Sequence, residues 1–191
     1  MVIRAANLAS LAVKDGLADY ACVSYDDYYT ALNDVPKPVN VIPRSEPMRQ
    51  QHVTTFELVK DFLSSRPHYD IIGVMLPSQP LRTLKHLIQS RLMLTPDRTH
   101  VMSYVLSQVN PSYFLNETVG DKLLRVGAAK DSNPWPVVHD GTIIWAWASW
   151  VKGESVNDWY CSTSIGGYRV DPMESVDVNT ARDYRIAQAL L

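Results

Sequence analysis

Residues 70–76, Asp-Ile-Ile-Gly-Val-Met-Leu, form a nearly continuous apolar run that Pro77 and Pro80 close off. Apolar side chains at successive positions suit a strand covered on both faces, the situation of a central strand in a parallel sheet. The segments around the run supply the covering layers. Residues 2–14 place Ile3, Ala6, Leu8, Leu11 and Ala12 at helical spacing, and Gly16 stops that helix. A second helix carries Val53, Phe56, Val59, Phe62 and Leu63 on one face, and a third over 83–94 carries Leu84, Leu87, Ile88 and Leu92. Short strands are predicted at Tyr20–Ser24, Val39–Ile42 and His100–Val109, with Pro36 and Pro38 marking a loop. This alternation argues a doubly wound α/β sheet.

The second half changes character. Residues 110–140 read as loop, with Pro111, Pro134 and Pro136, before a strong strand at Thr142–Trp147. Residues 151–170 read as polar and irregular. A last helix runs from Thr180 to the end, where Thr180-Ala-Arg-Asp183 has the form of a capping box. A chain of 191 residues suffices for one domain with a sizeable core.

Composition removes several classes of function. A net charge of -2 gives no basic footprint for nucleic acid. No window approaches the ~18 apolar residues of a membrane span. The N-terminus lacks the basic stretch and apolar run of a signal peptide, so a cytoplasmic location is expected. Cys22 and Cys161 form no CxxC pattern and read as two reduced, mostly buried thiols. The histidines His52, His68, His86, His100 and His139 show no metal-ligand spacing, and no GxSxG or HExxH pattern occurs. None of the eight glycines precedes Gly16, so no glycine-rich phosphate cradle opens the chain.

Four stretches, taken in order, carry a resemblance. They are Gly16–Asp27, which ends Val-Ser-Tyr-Asp-Asp; Val41-Ile-Pro-Arg-Ser-Glu46; Val74-Met-Leu-Pro-Ser-Gln-Pro-Leu-Arg82; and Glu174-Ser-Val-Asp-Val-Asn-Thr-Ala-Arg-Asp183 with the helix after it. Pro136–Ile144 is a weaker fifth. Together they resemble the acylneuraminate cytidylyltransferases (CMP-sialic acid synthetases) and their relatives acting on KDO-like sugars. The resemblance implies a three-layer nucleotide-diphosphosugar transferase-like fold with a mostly parallel sheet, occupying 1–191 as one domain. It also implies transfer of CMP from CTP to a sialic-acid-like keto-sugar acid, with Mg²⁺ as cofactor.

Site residues follow from the same resemblance. Asp177 and Asn179 stand where the family holds its metal with two aspartates. Positions i and i+2 of a strand face one way, so both can reach one ion; their other reading is a strand end and turn before Thr180. Arg82 and Asp177 are the expected catalytic residues. Arg44, Ser78, Gln79, His139 and Asp140 are expected to bind substrate. Arg82 could instead make a structural pair with a nearby acid, Arg44 could be a solvated loop residue, and Asp26-Asp27 could be a helix start. Departures from the family stand beside these matches. Asn179 replaces an aspartate, Leu76 a glutamine and Gln79 a serine, and Met1 leads straight into the helix that follows the family's opening strand and phosphate loop. That strand is central in the family sheet, so the resemblance implies activity weakened or lost. The alternative is a non-catalytic descendant that acts as a structural or oligomerisation module.

All five tryptophans fall between Trp135 and Trp159, inside the 133–165 region that in the family pairs two subunits. A homodimer through these aromatics is the expectation. Packing inside the monomer's own core, or stacking on a sugar or base, are the other readings.

Overall fold

The computed structural model describes residues 1–27, 30–106, 115–118, 122–125 and 137–191. Trp135, Pro111, Pro134, Pro136 and the expected strand end at 107–109 lie outside the described residues. Helix α1 (Val2–Lys14) precedes strand β1 (Cys22–Tyr25) and β2 (Asn40–Pro43). Then come α2 (Thr55–Ser64), β3 (Ile71–Val74), α3 (Leu84–Leu92) and β4 (His100–Leu106). Two short strands, β5 (Leu115–Thr118) and β6 (Lys122–Arg125), pair with each other. The chain closes with β7 (Val137–Trp147), α4 (Ala148–Gly153), β8 (Ile165–Arg169) and α5 (Ala181–Leu190). No helix among the described residues is long and apolar enough to cross a membrane.

The main sheet has the order β3-β7-β4-β8. β3 and β4 both pair antiparallel with β7, and β4 pairs parallel with β8. Three strands therefore run one way and β7 runs against them. β1 and β2 form a separate parallel pair. The apolar run at 70–76 is covered on both faces as expected. Ile71 and Met75 pack with α1 and α3, while Ile72 and Val74 pack with α2 and α4. Its predicted central position is corrected, because β3 ends the four-stranded sheet. Among the described residues no strand pairs with the other edge of β3 or of β1. α1 packs against both, since Val23 and Met75 lie against its alanines. The central strand implied by the resemblance has no counterpart among the described residues.

α1 buries Ala6, Ala9 and Ala12 while Leu11 faces outward, so small residues set its close approach to the strands. α2 has a full capping box, in which Thr54 accepts from the Glu57 amide and Glu57 accepts from Thr54. The box expected at Thr180 and Asp183 is also formed. Several elements differ from the sequence reading. β5 and β6 form in a stretch read as loop, α4 was not expected, β7 starts five residues before the predicted Thr142, at Val137, and β8 lies in a stretch read as irregular. β8 has no strong apolar alternation, because Gly166 and Gly167 leave room for neighbours; a Cβ there would meet Val101 and Tyr104.

The described tryptophans fill the monomer. Trp145 packs with Leu87, Val101 and Ile143, and its Nε1 donates to Ser90 Oγ at 3.0 Å. Trp159 packs against Phe56, with ring centroids 4.8 Å apart. Trp147 and Trp150 are half-buried beside the same clusters. Gly73 is a consequence, since a Cβ on it would come within 2.5 Å of the Trp145 ring. Cys22 and Cys161 are unpaired and half-buried; burial pushes the Cys22 thiol up to about 11.

Candidate active site at the carboxyl ends of the strands

A bulge in β7 builds the first part of the site. Met102 pairs with Ile144 but Tyr104 pairs with His139, so β7 carries extra residues at 140–143. Gly141 makes this possible with φ +76, and a Cβ there would meet Leu76 Cδ1 at 2.9 Å. Asp140 stabilises the turn locally, accepting from Thr142 Oγ1 at 2.6 Å and from the Thr142 amide at 3.2 Å. Ser103 Oγ accepts the Ile143 amide at 2.9 Å.

The bulge turns its carbonyls toward the loop after β3. Gln79 Nε2 donates to the Asp140 carbonyl, and Arg82 Nε to that of Thr142. Arg82 Nη2 reaches the carbonyls of Leu76 at 2.7 Å and Gly141 at 3.3 Å. Both side chains are buried. Burial lowers the Arg82 pKa to about 10, with Asp140 acting the other way, so the guanidinium stays cationic at neutral pH. Arg82 therefore makes neither the acid pair nor a free substrate clamp: most of its donors hold the main chain. Of these two side chains, Arg82 Nη1 and Gln79 Oε1 are buried with no partner among the described residues.

The closing motif reaches the same place. After β8 the chain makes a 3-10 turn at Pro172–Glu174 and then runs without regular structure through 175–179. The Val178 amide donates to the Ser78 carbonyl at 2.9 Å. Asp177 and Asn179 point outward on either side of buried Val178, and Asn179 Nδ2 donates to Asp177 Oδ2 at 2.7 Å. The shared face expected of positions i and i+2 is present, although this segment joins no sheet. The donor set fits Mg²⁺ in a limited way. Asp177 offers one carboxylate and Asn179 one amide oxygen, so the other positions would fall to water and a ligand's own oxygens. Among the described residues no cluster of three or more His, Cys, Asp or Glu side chains could hold a metal.

The remaining expected residues divide. Arg44 and Asp26 meet at the carboxyl ends of β2 and β1, with Arg44 Nη1 2.7 Å from Asp26 Oδ1. Asp26 is thus an ion-pair partner, and Arg44 is not free in solvent. Arg4, on the first turn of α1, donates to the Pro80 carbonyl and brings that helix end to the rim. His139 is half-buried, with Nδ1 3.3 Å from Tyr160 Oη. Burial lowers its pKa, against the pull of Asp140. Its Nε2 has no hydrogen-bond partner among the described residues.

Set beside solved structures, the chain is similar to a 4-diphosphocytidyl-2C-methyl-D-erythritol synthase from Anaerococcus prevotii. The TM-score is 0.64 at 10% identity, over 96% of this chain and 84% of that one. It is also similar to HddC from Yersinia pseudotuberculosis, with TM-score 0.56 at 11% identity, over 98% of this chain and 85% of that one. The fold is of the nucleotide-diphosphosugar transferase type. No family model and no curated protein matches the sequence. Identities this low establish the fold; substrate and chemistry are separate questions.

Sequence reasoning missed one residue of this region. His86 is buried on α3, accepts the Thr83 amide at Nδ1 (3.2 Å) and places Nε2 3.2 Å from Glu174 Oε2. Its only sequence signal was its place three residues after Thr83, where a capping box usually has Glu or Gln.

Proposed function

We propose that the chain is a cytidylyltransferase-type nucleotidyl-transfer protein whose ligand lies at the rim formed by 76–82, 140–142 and 177–179. The observation that carries this reading is the convergence of Arg82, Gln79, Ser78, Asp177 and Asn179 at one end of the strands. Open α/β sheets bind ligands outside the carboxyl ends of their strands. The fold and the name of one structural neighbour, a 4-diphosphocytidyl-2C-methyl-D-erythritol synthase, point the same way.

In the proposed reaction the anomeric hydroxyl of a keto-sugar acid attacks the α-phosphorus of CTP. The new O–P bond forms as the bond to pyrophosphate breaks, and the hydroxyl proton is released. Positioning and charge neutralisation carry most of the catalysis in such transfers. Asp177 and Asn179 would hold Mg²⁺, which supplies charge compensation on the phosphates. Arg82 Nη1 is the buried cationic donor left for a phosphate or carboxylate oxygen, and Arg44, Ser78, Gln79, His139 and Asp140 are the substrate-binding residues of the same proposal. A homodimer belongs to the same reading. Its contact would involve exposed Val137, Val138 and Tyr160 rather than Trp145 and Trp159, which are engaged inside the monomer.

One observation favours a second reading, a non-catalytic structural module. Most polar groups of the rim already have protein partners, and Asp177 is the one carboxylate of residues 175–179. Calorimetric titration with CTP and Mg²⁺ separates the two. Micromolar binding with pyrophosphate release supports the transferase; no heat at millimolar nucleotide overturns it.

A further inference from the structure

We propose that His86 is a positioning residue. Through Glu174 it holds the strap 171–179 on the body of the protein and so fixes Asp177 and Asn179 at the rim.

The strap has few anchors. Asp171 caps the 3-10 turn, its Oδ1 accepting the Met173 amide at 2.9 Å. Val178 is buried and its amide donates to Ser78. Beyond it, the Asn179 and Thr180 amides both donate to Asp183 Oδ2 in the local cap, and the Asn179 side chain donates to Asp177. At the end of the turn, Glu174 Oε2 meets His86 Nε2 at 3.2 Å and ties the segment to α3. Residues 171–174 are otherwise exposed. Removing the tie leaves the segment before Asp177 held by the chain on either side.

His86 is suited to this task because its ring is fixed from two sides. It is 2% exposed, Ser90 Oγ donates to its carbonyl at 2.6 Å, and the Tyr168 ring lies 6.2 Å away. Nδ1 accepts the Thr83 amide, so in the neutral ring the proton sits on Nε2 and points at Glu174. One imidazole thus joins the start of α3 to the strap. Tyr168, at the strap's root in β8, is tied to the same helix, its hydroxyl donating to Gln89 Oε1 at 2.9 Å. α3 thereby reads the position of both β8 and the strap.

The consequence for metal and nucleotide rests on the proposed nucleotidyl transfer; the docking of the strap does not. Amide hydrogen exchange tests the docking directly, in the full chain. His86→Gln keeps a group that can accept the Thr83 amide but is too differently shaped to reach Glu174, and Glu174→Ala removes the partner. Each is expected to speed exchange of the Val178 amide about tenfold relative to the amides of β8, with no further gain in the double variant. Glu174→Gln retains an acceptor oxygen and is expected to restore protection. Unchanged Val178 protection in both single variants, or an equal loss throughout β8, overturns the proposal. Titration with Mn²⁺ alone supplies the second readout. Weaker binding in His86→Gln, with Glu174→Gln near the parent, links the docking to the ligand pair. Parent-like Mn²⁺ affinity alongside lost Val178 protection overturns that link. An absence of Mn²⁺ binding in the parent counts against the metal reading and leaves the exchange result to decide the positioning.

Discussion

Two parts of one rim contrast sharply. The loop 76–82 and the bulge 140–142 bury Gln79 and Arg82 against main-chain carbonyls. The strap 175–179 leaves Asp177 and Asn179 exposed and bonded mainly to each other. Buried polar groups need partners, and when those partners are backbone carbonyls the side chain becomes part of the fold. Exposed ones keep their capacity for a ligand. The same signature residues therefore divide between scaffold and chemistry, and variants separate the two.

The largest effect is expected at Arg82. Arg82→Met removes the donors to Thr142, Leu76 and Gly141 in a buried setting and should cost about 3 kcal/mol or more in denaturant unfolding. Arg82→Lys keeps the charge without the fork and should fall between the two. A loss below about 1 kcal/mol in the Met variant would break the scaffold side of the comparison.

Gly141→Ala comes next. The positive φ and the contact with Leu76 Cδ1 together should lower stability by about 2 kcal/mol. Adding Leu76→Ala should relieve the contact and leave the backbone strain. If the double variant is no better than the sum of its parts, the bulge is not packed against Leu76 as seen.

A smaller loss follows acidification. Burial lowers the pKa of His100 from 6.5 to about 4. The folded form is therefore neutral where the unfolded chain begins to bind a proton. Stability is full above pH 6.5 and falls progressively as pH drops toward 4. His100→Phe should flatten this acid limb in thermal melts, and an unchanged limb would assign it elsewhere.

The smallest effect on stability is expected at the strap. Asp177→Asn should leave the melting temperature unchanged and weaken Mg²⁺-dependent CTP binding. A clear fall in melting temperature would place Asp177 with the scaffold and erase the contrast.

The helices and most strands were legible because their signals are local. Alanine and leucine spacing marked α1 and α3, and the Thr180–Asp183 box fixed the start of α5. The run at 70–76 announced a strand covered on both faces, which β3 is. β8 was hidden because two glycines make room for its neighbours and leave no side-chain pattern of their own. The tryptophans looked like a pairing surface on composition, while their burial around Phe56 and Leu87 depends on contacts far along the chain.

The sequence by itself offered Ser78, Gln79, Arg82, Asp140, Asp177 and Asn179 among its candidates, beside Arg44 and His139; contacts between the 76–82 loop, the β7 bulge and residues 177–179 join the first six at one rim. Only the tertiary structure decided their tasks. Whether Arg82 meets a ligand or a carbonyl depends on the bulge at Gly141, which is made by the register of β7 on β4. Whether Asp177 is held in place depends on His86, 91 residues away in the chain and joined to the strap through Glu174. Residue type sets what a side chain can do; the partners brought to it from distant sequence set what it has left to do.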